Sequence, residues 1–177
     1  MTTSPPPSEP IRGLSIAAAG SEDIPPILAL FNHEIRNGVA LWNTAERTAE
    51  EMDAWRAERQ GAGYPVLAAR DADGGFLGYG SFGAFRPHDG YLHTVEHSLY
   101  VAPAARGRGV GRALLERLIA EAEGRGKHVM IGGLEAGNAA SIALHRAFGF
   151  DEAARLPEVG RKFDRWLTLV LMWKRLS

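Results

Sequence analysis

The sequence predicts an α/β fold in which a mixed, mostly antiparallel sheet carries helices on both faces. Two hydrophobic patterns support this prediction: apolar residues recur at helical spacing in some segments, and short apolar or alternating runs form the others. Turns rich in glycine and proline separate these segments. Their order along the chain is β-α-α-β-β-β-α-β-α-β.

The first three elements are a short strand and two helices. Residues 12–18 have the composition of a strand. Ser21 or Asp23 is placed to cap the first helix, in whose first turn proline is tolerated. Thr48 and Glu51 have the spacing of a capping box, which predicts the start of the second helix.

Three strands follow the second helix. The segments PVLAARD and FLGYGSFGA are predicted to form a hairpin because the turn Asp73-Gly74-Gly75 joins them. The segment HTVEHSLYVA is the next strand, and Pro103 ends it.

Helices and strands then alternate to the end of the chain. An apolar stripe predicts a helix that starts near Val110 and ends at Gly124. HVMIGGLE is predicted to be a strand, a further helix begins at Asn138, and RWLTLVLMW is the last strand.

Length and composition indicate an ordinary globular enzyme or binding protein. We expect one domain over residues 11–177, preceded by a disordered tail over 1–10 that is rich in proline and small polar residues. The net charge of −1 gives no basic field, so nucleic acid is not an expected partner. No segment has the pattern of a membrane span or signal peptide, and there is no cysteine, which favours a cytoplasmic location.

The stretch RGRGVG, residues 106–111, comes directly before a predicted amphipathic helix. Glycines leave the backbone amides of a helix start open to an anion, and the helix dipole favours negative charge there. The alternative interpretation is a surface turn with an ordinary helix cap. The spacing fits neither a Walker loop, which needs Lys-Ser or Lys-Thr, nor the G-x-G-x-x-G dinucleotide motif.

Several motifs in one register resemble a known family. Arg106-x-x-Gly109-x-Gly111 looks like the pyrophosphate motif of GCN5-related N-acetyltransferases, and NAASIALHRAFGF is similar to a later region of that superfamily. TVEHSLYV, LHRAFGF and GRKFDRW more closely resemble the phosphinothricin and methionine sulfoximine acetyltransferases. The resemblance implies splayed central strands, acetyl-CoA as cosubstrate, no metal, a homodimer and, with phosphinothricin as acceptor, herbicide resistance.

The resemblance also places the cofactor site. Acetyl-CoA is expected to lie along the strand HTVEHSLYVA and the glycine loop, and to contact the start of the last predicted helix. The expected cofactor-binding residues are Leu99, Tyr100, Val101, Arg106, Gly107, Arg108, Gly109, Val110, Gly111, Arg112, Asn138 and Ser141.

The resemblance makes two residues candidates for proton transfer, Glu96 as the base and His145, although the pattern of Glu96 alone is that of an exposed strand glutamate. An amine attacks a thioester only when neutral, so a base or a water path must take its proton. Strand alternation puts Glu96 on the face opposite the apolar Val95 and Leu99, where it faces a cleft or solvent. His145 lies seven residues after Asn138 and is interpreted as an acid, a base or a structural histidine.

The acceptor site is expected from the resemblance in the loop before the Glu96 strand and in two aromatic segments. Arg86 is suited to grip the carboxylate of a small amino acid analogue, which favours that acceptor over polyamines. The expected acceptor-binding residues are Trp42, Phe85, Arg86, Asp89, Gly90, Tyr91, Lys162 and Phe163, the last two from this or a neighbouring subunit. Another small amine, a protein N-terminus and a non-catalytic CoA-binding role remain as alternatives.

A metal site is not expected. His93 and His97 have the i, i+4 spacing of zinc ligands on a helix, but they lie on a predicted strand. At about 3.3 Å per residue they are roughly 13 Å apart along such a strand.

Overall fold

The computed structural model describes residues 11–177, so the predicted tail over 1–10 lies outside the described residues. The described chain contains one seven-stranded sheet and four α-helices. The strands are β1 (Ser15–Ala18), β2 (Val66–Arg70), β3 (Phe76–Ala84), β4 (Thr94–Val101), β5 (Val129–Glu135), β6 (Asp151–Lys162) and β7 (Arg165–Arg175). The helices are α1 (Ile24–Asn37), α2 (Ala49–Gly61), α3 (Val110–Gly124) and α4 (Ala139–Ala147).

The sheet is mostly antiparallel and opens in its middle. Its strand order is β1-β2-β3-β4-β5-β7-β6, and β4 with β5 is the parallel pair. Their pairing runs only from Thr94 with Val129 to His97 with Gly132. Beyond this point β4 stays paired with β3, and β5 stays paired with β7. The two central strands therefore splay, as predicted, and the second half of β4 has no β5 partner.

Helices cover both faces of the sheet, which confirms the predicted layering. On one face Leu114 and Leu118 of α3 pack with Met130 of β5 in the larger core. On the other face Ile27 of α1 and Met52 of α2 pack with strand residues in a second core. The capping box predicted at the start of α2 is also present, since the Thr48 side chain accepts a hydrogen bond from the Glu51 amide.

The alternation predicted for β4 is confirmed. Val95 and His97 are buried on the α3 face, whereas Tyr100 packs in the core beneath α1 and α2. The β3–β4 pairing runs without a bulge from Gly78 to Ala84, so Glu96 points to the same side as Tyr100. That side of the sheet is the one covered by α1 and α2.

The predicted element order was wrong at one place, because β6 was not foreseen. β6 is an edge strand with mostly exposed residues, so it lacks the apolar alternation that marks a half-buried strand. Irregular pairing between Leu156 and Gly160 interrupts it further, and Glu158 there has a positive φ of 55°. The first strand is also shorter than predicted and starts at Ser15.

Candidate active site

The splay between β4 and β5 opens a groove of about 980 Å³ that continues to the start of α3. Most of the residues expected to bind the cofactor line it, together with several that sequence reasoning did not single out. The lining includes Leu99, Tyr100, Val101, Arg106, Gly107, Gly109, Gly111, Arg112, Asn138, Ser141, Glu34, Gly38, Ala40, Glu135, Leu144 and Trp166.

Two residues from the same expected set do not line the groove. The Val110 side chain is buried in the core beneath α3, so only its backbone amide is available to a ligand. Arg108 is half-buried and lies outside the groove wall.

The glycine loop has a conformation that glycine makes possible. Gly107 and Gly109 have φ values of 73° and 90°, in the left-handed region that disfavours other residues. Gly109 is the N-cap of α3, and a Cβ atom there would meet nothing within 4 Å. The backbone dihedral therefore explains this glycine, and its open side leaves the first amides of α3 accessible to an anion.

Arg106 is held by the protein and does not extend freely into the groove. Its Nη2 lies 2.5 Å from Oε1 of Glu34, a buried carboxylate of α1, and its Nε donates to the Val101 carbonyl at 3.1 Å. Arg112 stacks on Phe148, 5.0 Å from the ring centroid. Arg106 thus ties the glycine loop to the first helix.

Glu96 is half-buried beside the splay, between a glycine of β3 and a glycine of β5. Gly83 is its direct partner on β3, and a Cβ atom on Gly133 of β5 would lie 3.4 Å from the Glu96 Oε1 atom. Burial raises the pKa of the Glu96 carboxyl, while the positive charges of Arg86 and Arg59 oppose that rise. A carboxylate with a raised pKa is a better proton acceptor than an exposed one.

His145 is buried and paired with a second histidine. Its Nδ1 lies 2.7 Å from the Ser141 carbonyl, and its Nε2 lies 3.0 Å from Nε2 of His97. Because a carbonyl only accepts, Nδ1 of His145 carries the proton, and in the neutral pair His97 donates to His145. Gly132 lets the rings meet, since a Cβ atom there would lie 2.9 Å from the His97 Nε2.

The buried position of this pair favours the neutral form of both histidines. Burial, together with the neighbouring His145, lowers the pKa of His97 to about 3, and burial also lowers the pKa of His145. Nδ1 of His97 is buried without a hydrogen-bond partner among the described residues. The pair joins β4 to α4 directly beneath the splay.

The loop before β4 carries the expected acceptor residues on the surface. Arg86 is exposed, stacks on Phe85 at 4.2 Å from the ring centroid, and donates to the Phe85 carbonyl at 3.0 Å. Phe85 also makes an edge contact with Tyr91. Asp89 and Gly90 are exposed in the short turn that precedes β4.

The structure gives Trp42 and Lys162 contacts that the sequence did not suggest. The Trp42 ring lies on Gly160 of β6, where any side chain would overlap it. Lys162 is buried, and its Nζ donates to the carbonyls of Leu41 at 2.5 Å and Glu34 at 3.3 Å. Its ammonium holds the connection between α1 and α2. Phe163, in the turn after β6, is exposed.

Sequence reasoning missed a second cavity, of about 160 Å³, between the sheet and the first two helices. Arg47 and Arg59 lie in its wall with Ser98 and Tyr100 of β4 and with Trp55 of α2. The motif WRAERQ looks like a solvated helix surface, so only the fold brings Arg59 to the strand that carries Glu96.

Within residues 11–177 no helix is long and apolar enough to cross a membrane. The same residues contain no group of three histidine, aspartate or glutamate side chains placed to hold a metal ion.

A groove opened by a splayed sheet, with a glycine-started helix at one end and a half-buried carboxylate nearby, is the architecture of an N-acetyltransferase. The model of the acetyltransferase (GNAT) family matches residues 27–150, and the chain belongs to this family. The enzyme is therefore an N-acetyltransferase, which confirms that part of the sequence prediction.

Three similar proteins are acetyltransferases with named acceptors. The chain is 48% identical to an L-methionine sulfoximine/L-methionine sulfone acetyltransferase of Pseudomonas aeruginosa, over 92% of this chain and 95% of the relative. It is similar to a phosphinothricin acetyltransferase of Sinorhizobium meliloti solved in complex with acetyl-CoA, with 34% identity, a TM-score of 0.90 and coverage of 93% and 89%. A ribosomal-protein-alanine N-acetyltransferase of Brucella melitensis gives 48% identity, a TM-score of 0.89 and coverage of 92% and 99%.

Proposed function

We propose that this enzyme transfers the acetyl group of acetyl-CoA to the α-amino group of a small amino acid analogue. Methionine sulfone, methionine sulfoximine and phosphinothricin are the acceptor types. The observation that carries the proposal is the half-buried Glu96 at the splay, with Arg86 and Arg59 close enough to oppose the rise of its pKa. A carboxylate base near two arginines suits an acceptor whose ammonium can give a proton to the base and whose carboxylate can bind an arginine.

The groove has the chemistry to hold acetyl-CoA. The open amides at the start of α3, from Gly107 to Arg112, would bind the diphosphate. The part of β4 from Ser98 to Val101 is paired with β3 but has no β5 partner, so its backbone groups on the β5 side are available to the pantetheine amides. Asn138 caps α4 through Oδ1, which accepts from the Ser141 amide at 3.1 Å. Bound there, acetyl-CoA supplies an activated acetyl thioester.

Glu96 acts as the base in this proposal. It takes a proton from the acceptor ammonium, directly or through one water molecule, and so frees the nitrogen lone pair for attack. Its partly buried position favours this step because a raised pKa brings the carboxylate closer to the pKa of an amine.

For His145 we propose a positioning role. Both of its ring nitrogens are already in hydrogen bonds, one with Ser141 and one with His97, and its side chain is fully buried. Donation of a proton to the CoA thiolate would require the pair to come apart. The pair instead fixes α4 and Asn138 relative to β4, where the acetyl group must sit.

We further propose a homodimer formed through the β6–β7 hairpin. Large apolar side chains are exposed on this hairpin, which is unusual for a surface that meets only water. Val159, Phe163 and Trp166 are 55%, 53% and 61% exposed. Size-exclusion chromatography with light scattering tests this, because Trp166→Glu should convert a dimer to a monomer.

We place the reaction in the cytoplasm, in keeping with a chain that has no cysteine.

The experiment that tests the function is a CoA-release assay across acceptor classes. L-methionine sulfone, L-methionine sulfoximine and phosphinothricin should be acetylated, and simple polyamines should not. A peptide that begins with alanine is the second candidate, because one relative bears the name ribosomal-protein-alanine N-acetyltransferase. Turnover of that peptide without turnover of the free amino acid analogues would contradict the proposal.

A further inference from the structure

Arg59 lies at an unusual place for an arginine on a helix surface. It comes from the last turns of α2, yet its guanidinium rests on the backbone of Gly83 in β3. Gly83 is buried and pairs directly with Glu96 of β4. Because paired residues of neighbouring strands are about 4.5–5.5 Å apart at Cα, the guanidinium lies beside the Glu96 side chain.

The charge of Arg59 has no carboxylate within ion-pair distance among residues 11–177. Arg56, one turn earlier on α2, differs because it pairs with Asp53 at 2.7 Å. Arg59 is half-buried, and with Arg47 it lines the cavity between α2 and the sheet. A half-buried guanidinium in a cavity wall, near Glu96 but with no carboxylate at ion-pair distance among residues 11–177, is suited to bind an anionic ligand.

We propose that Arg59 binds the α-carboxylate of the acceptor and so determines the preference for amino acids over simple amines. This inference rests on the proposed function. The amine and the carboxylate of an α-amino acid are attached to the same carbon atom, so the group that binds the carboxylate must lie next to the base. Arg59 meets this requirement because it is packed against the strand partner of Glu96.

Arg86 is less suited to the same task. It is exposed, it lies on the loop before β4, and its guanidinium already stacks on Phe85. The Arg86 charge also lowers the pKa of Glu96, but the Arg86 guanidinium is not packed on the strand partner of Glu96 as that of Arg59 is. The carboxylate nearest the reacting amine is left to Arg59.

Gly83 provides an independent variant. A Cβ atom at this position would overlap Nη1 of Arg59, and the end of a flexible side chain can move away at little cost. The φ of Gly83 is not positive, so alanine fits the strand backbone. Gly83→Ala therefore displaces the Arg59 guanidinium without removing its charge from the protein.

The test compares two acceptors that differ only in the carboxylate: L-methionine sulfone and 3-(methylsulfonyl)propan-1-amine. We expect Arg59→Gln to raise KM for methionine sulfone about 10- to 100-fold and to leave KM for the amine and for acetyl-CoA unchanged. Gly83→Ala should shift the same KM in the same direction. Arg56→Gln, on the same helix, is the matched control and should change none of these constants.

Rates are measured on the alkaline plateau, where Glu96 is ionised in every variant. An unchanged KM for methionine sulfone in Arg59→Gln, or an equal rise for both acceptors, would overturn the inference while leaving the proposed function intact. Wild-type enzyme that acetylates no amino acid analogue would instead refute the proposed function and this inference with it.

Discussion

Substitution of Lys162 tests whether this residue stabilises the connection between α1 and α2. The resemblance makes Lys162 a candidate acceptor-binding residue of this or a neighbouring subunit. In the structure its ammonium is buried and donates to the Leu41 and Glu34 carbonyls. The substitution Lys162→Met keeps most of the side-chain volume and removes the donor. We therefore expect loss of stability, because the connection between α1 and α2 loses its attachment to β6.

The expected loss of stability depends on which hydrogen-bond donors remain for the Glu34 and Leu41 carbonyls in the variant. The Glu34 carbonyl still accepts from the Gly38 amide at 2.9 Å, so it remains satisfied. The Leu41 carbonyl loses its donor, and an unsatisfied buried acceptor costs about 1–3 kcal/mol. Leu41 is only half-buried, so water reaches it in part and the lower end applies, about 1–2 kcal/mol. For a chain of this length that corresponds to a fall in Tm of roughly 2–8 °C.

Differential scanning calorimetry measures this, with Lys127→Met as the matched control. Lys127 also donates to a backbone carbonyl, that of Leu92 at 2.9 Å, but near the surface. The control should move Tm little, because surface substitutions usually change stability by less than about 0.5 kcal/mol. A raised acceptor KM for Lys162→Met with an unchanged Tm would refute the structural account and return Lys162 to the acceptor site.

Three further predictions concern the cofactor loop and the titrating groups. Gly109→Asp should raise KM for acetyl-CoA by about tenfold or more, since it adds a negative charge at the anion-binding helix start; an unchanged KM would show that the loop is only a turn. Arg86→Gln should move the acidic limb of the kcat/KM profile to higher pH, because the Arg86 charge lowers the pKa of Glu96; a shift to lower pH would contradict this. ¹⁵N NMR should show His145 as a neutral imidazole at pH 6.5, with its one proton on Nδ1, because burial lowers the pKa of His145. An imidazolium with protons on both nitrogens would disprove the assigned hydrogen bonds of the pair.

The sequence was most informative where one face of an element is buried. The alternation of Val95, Glu96 and His97 was predicted correctly because the core beneath α3 accepts only alternate residues of β4. The starts of α2 and α4 were also predicted, since their caps Thr48 and Asn138 act through local hydrogen bonds. In contrast, β6 was missed because an exposed edge strand has little hydrophobic pattern to detect.

The parts of the site that escaped prediction all depend on contacts between distant segments. The position of Arg59 against Gly83 depends on how α2 packs on the sheet, and the hydrogen bonds of Lys162 to Leu41 and Glu34 depend on how β6 reaches the end of α1. The hydrogen bond between His145 and His97 could not be predicted, because the sequence does not show that these two residues, 48 positions apart, meet. Local spacing carries no information on such pairs.

The central claim is that Glu96 deprotonates an amino acid acceptor at the splay of the sheet. The most direct measurement is kcat for L-methionine sulfone with wild-type enzyme and with Glu96→Gln, at saturating acetyl-CoA and with Tm recorded for both. Loss of a general base usually lowers the rate about 10²- to 10⁴-fold, so we predict a fall in kcat of that order with an unchanged Tm. An unchanged kcat for Glu96→Gln would contradict the claim, because it would show that the proton leaves without Glu96.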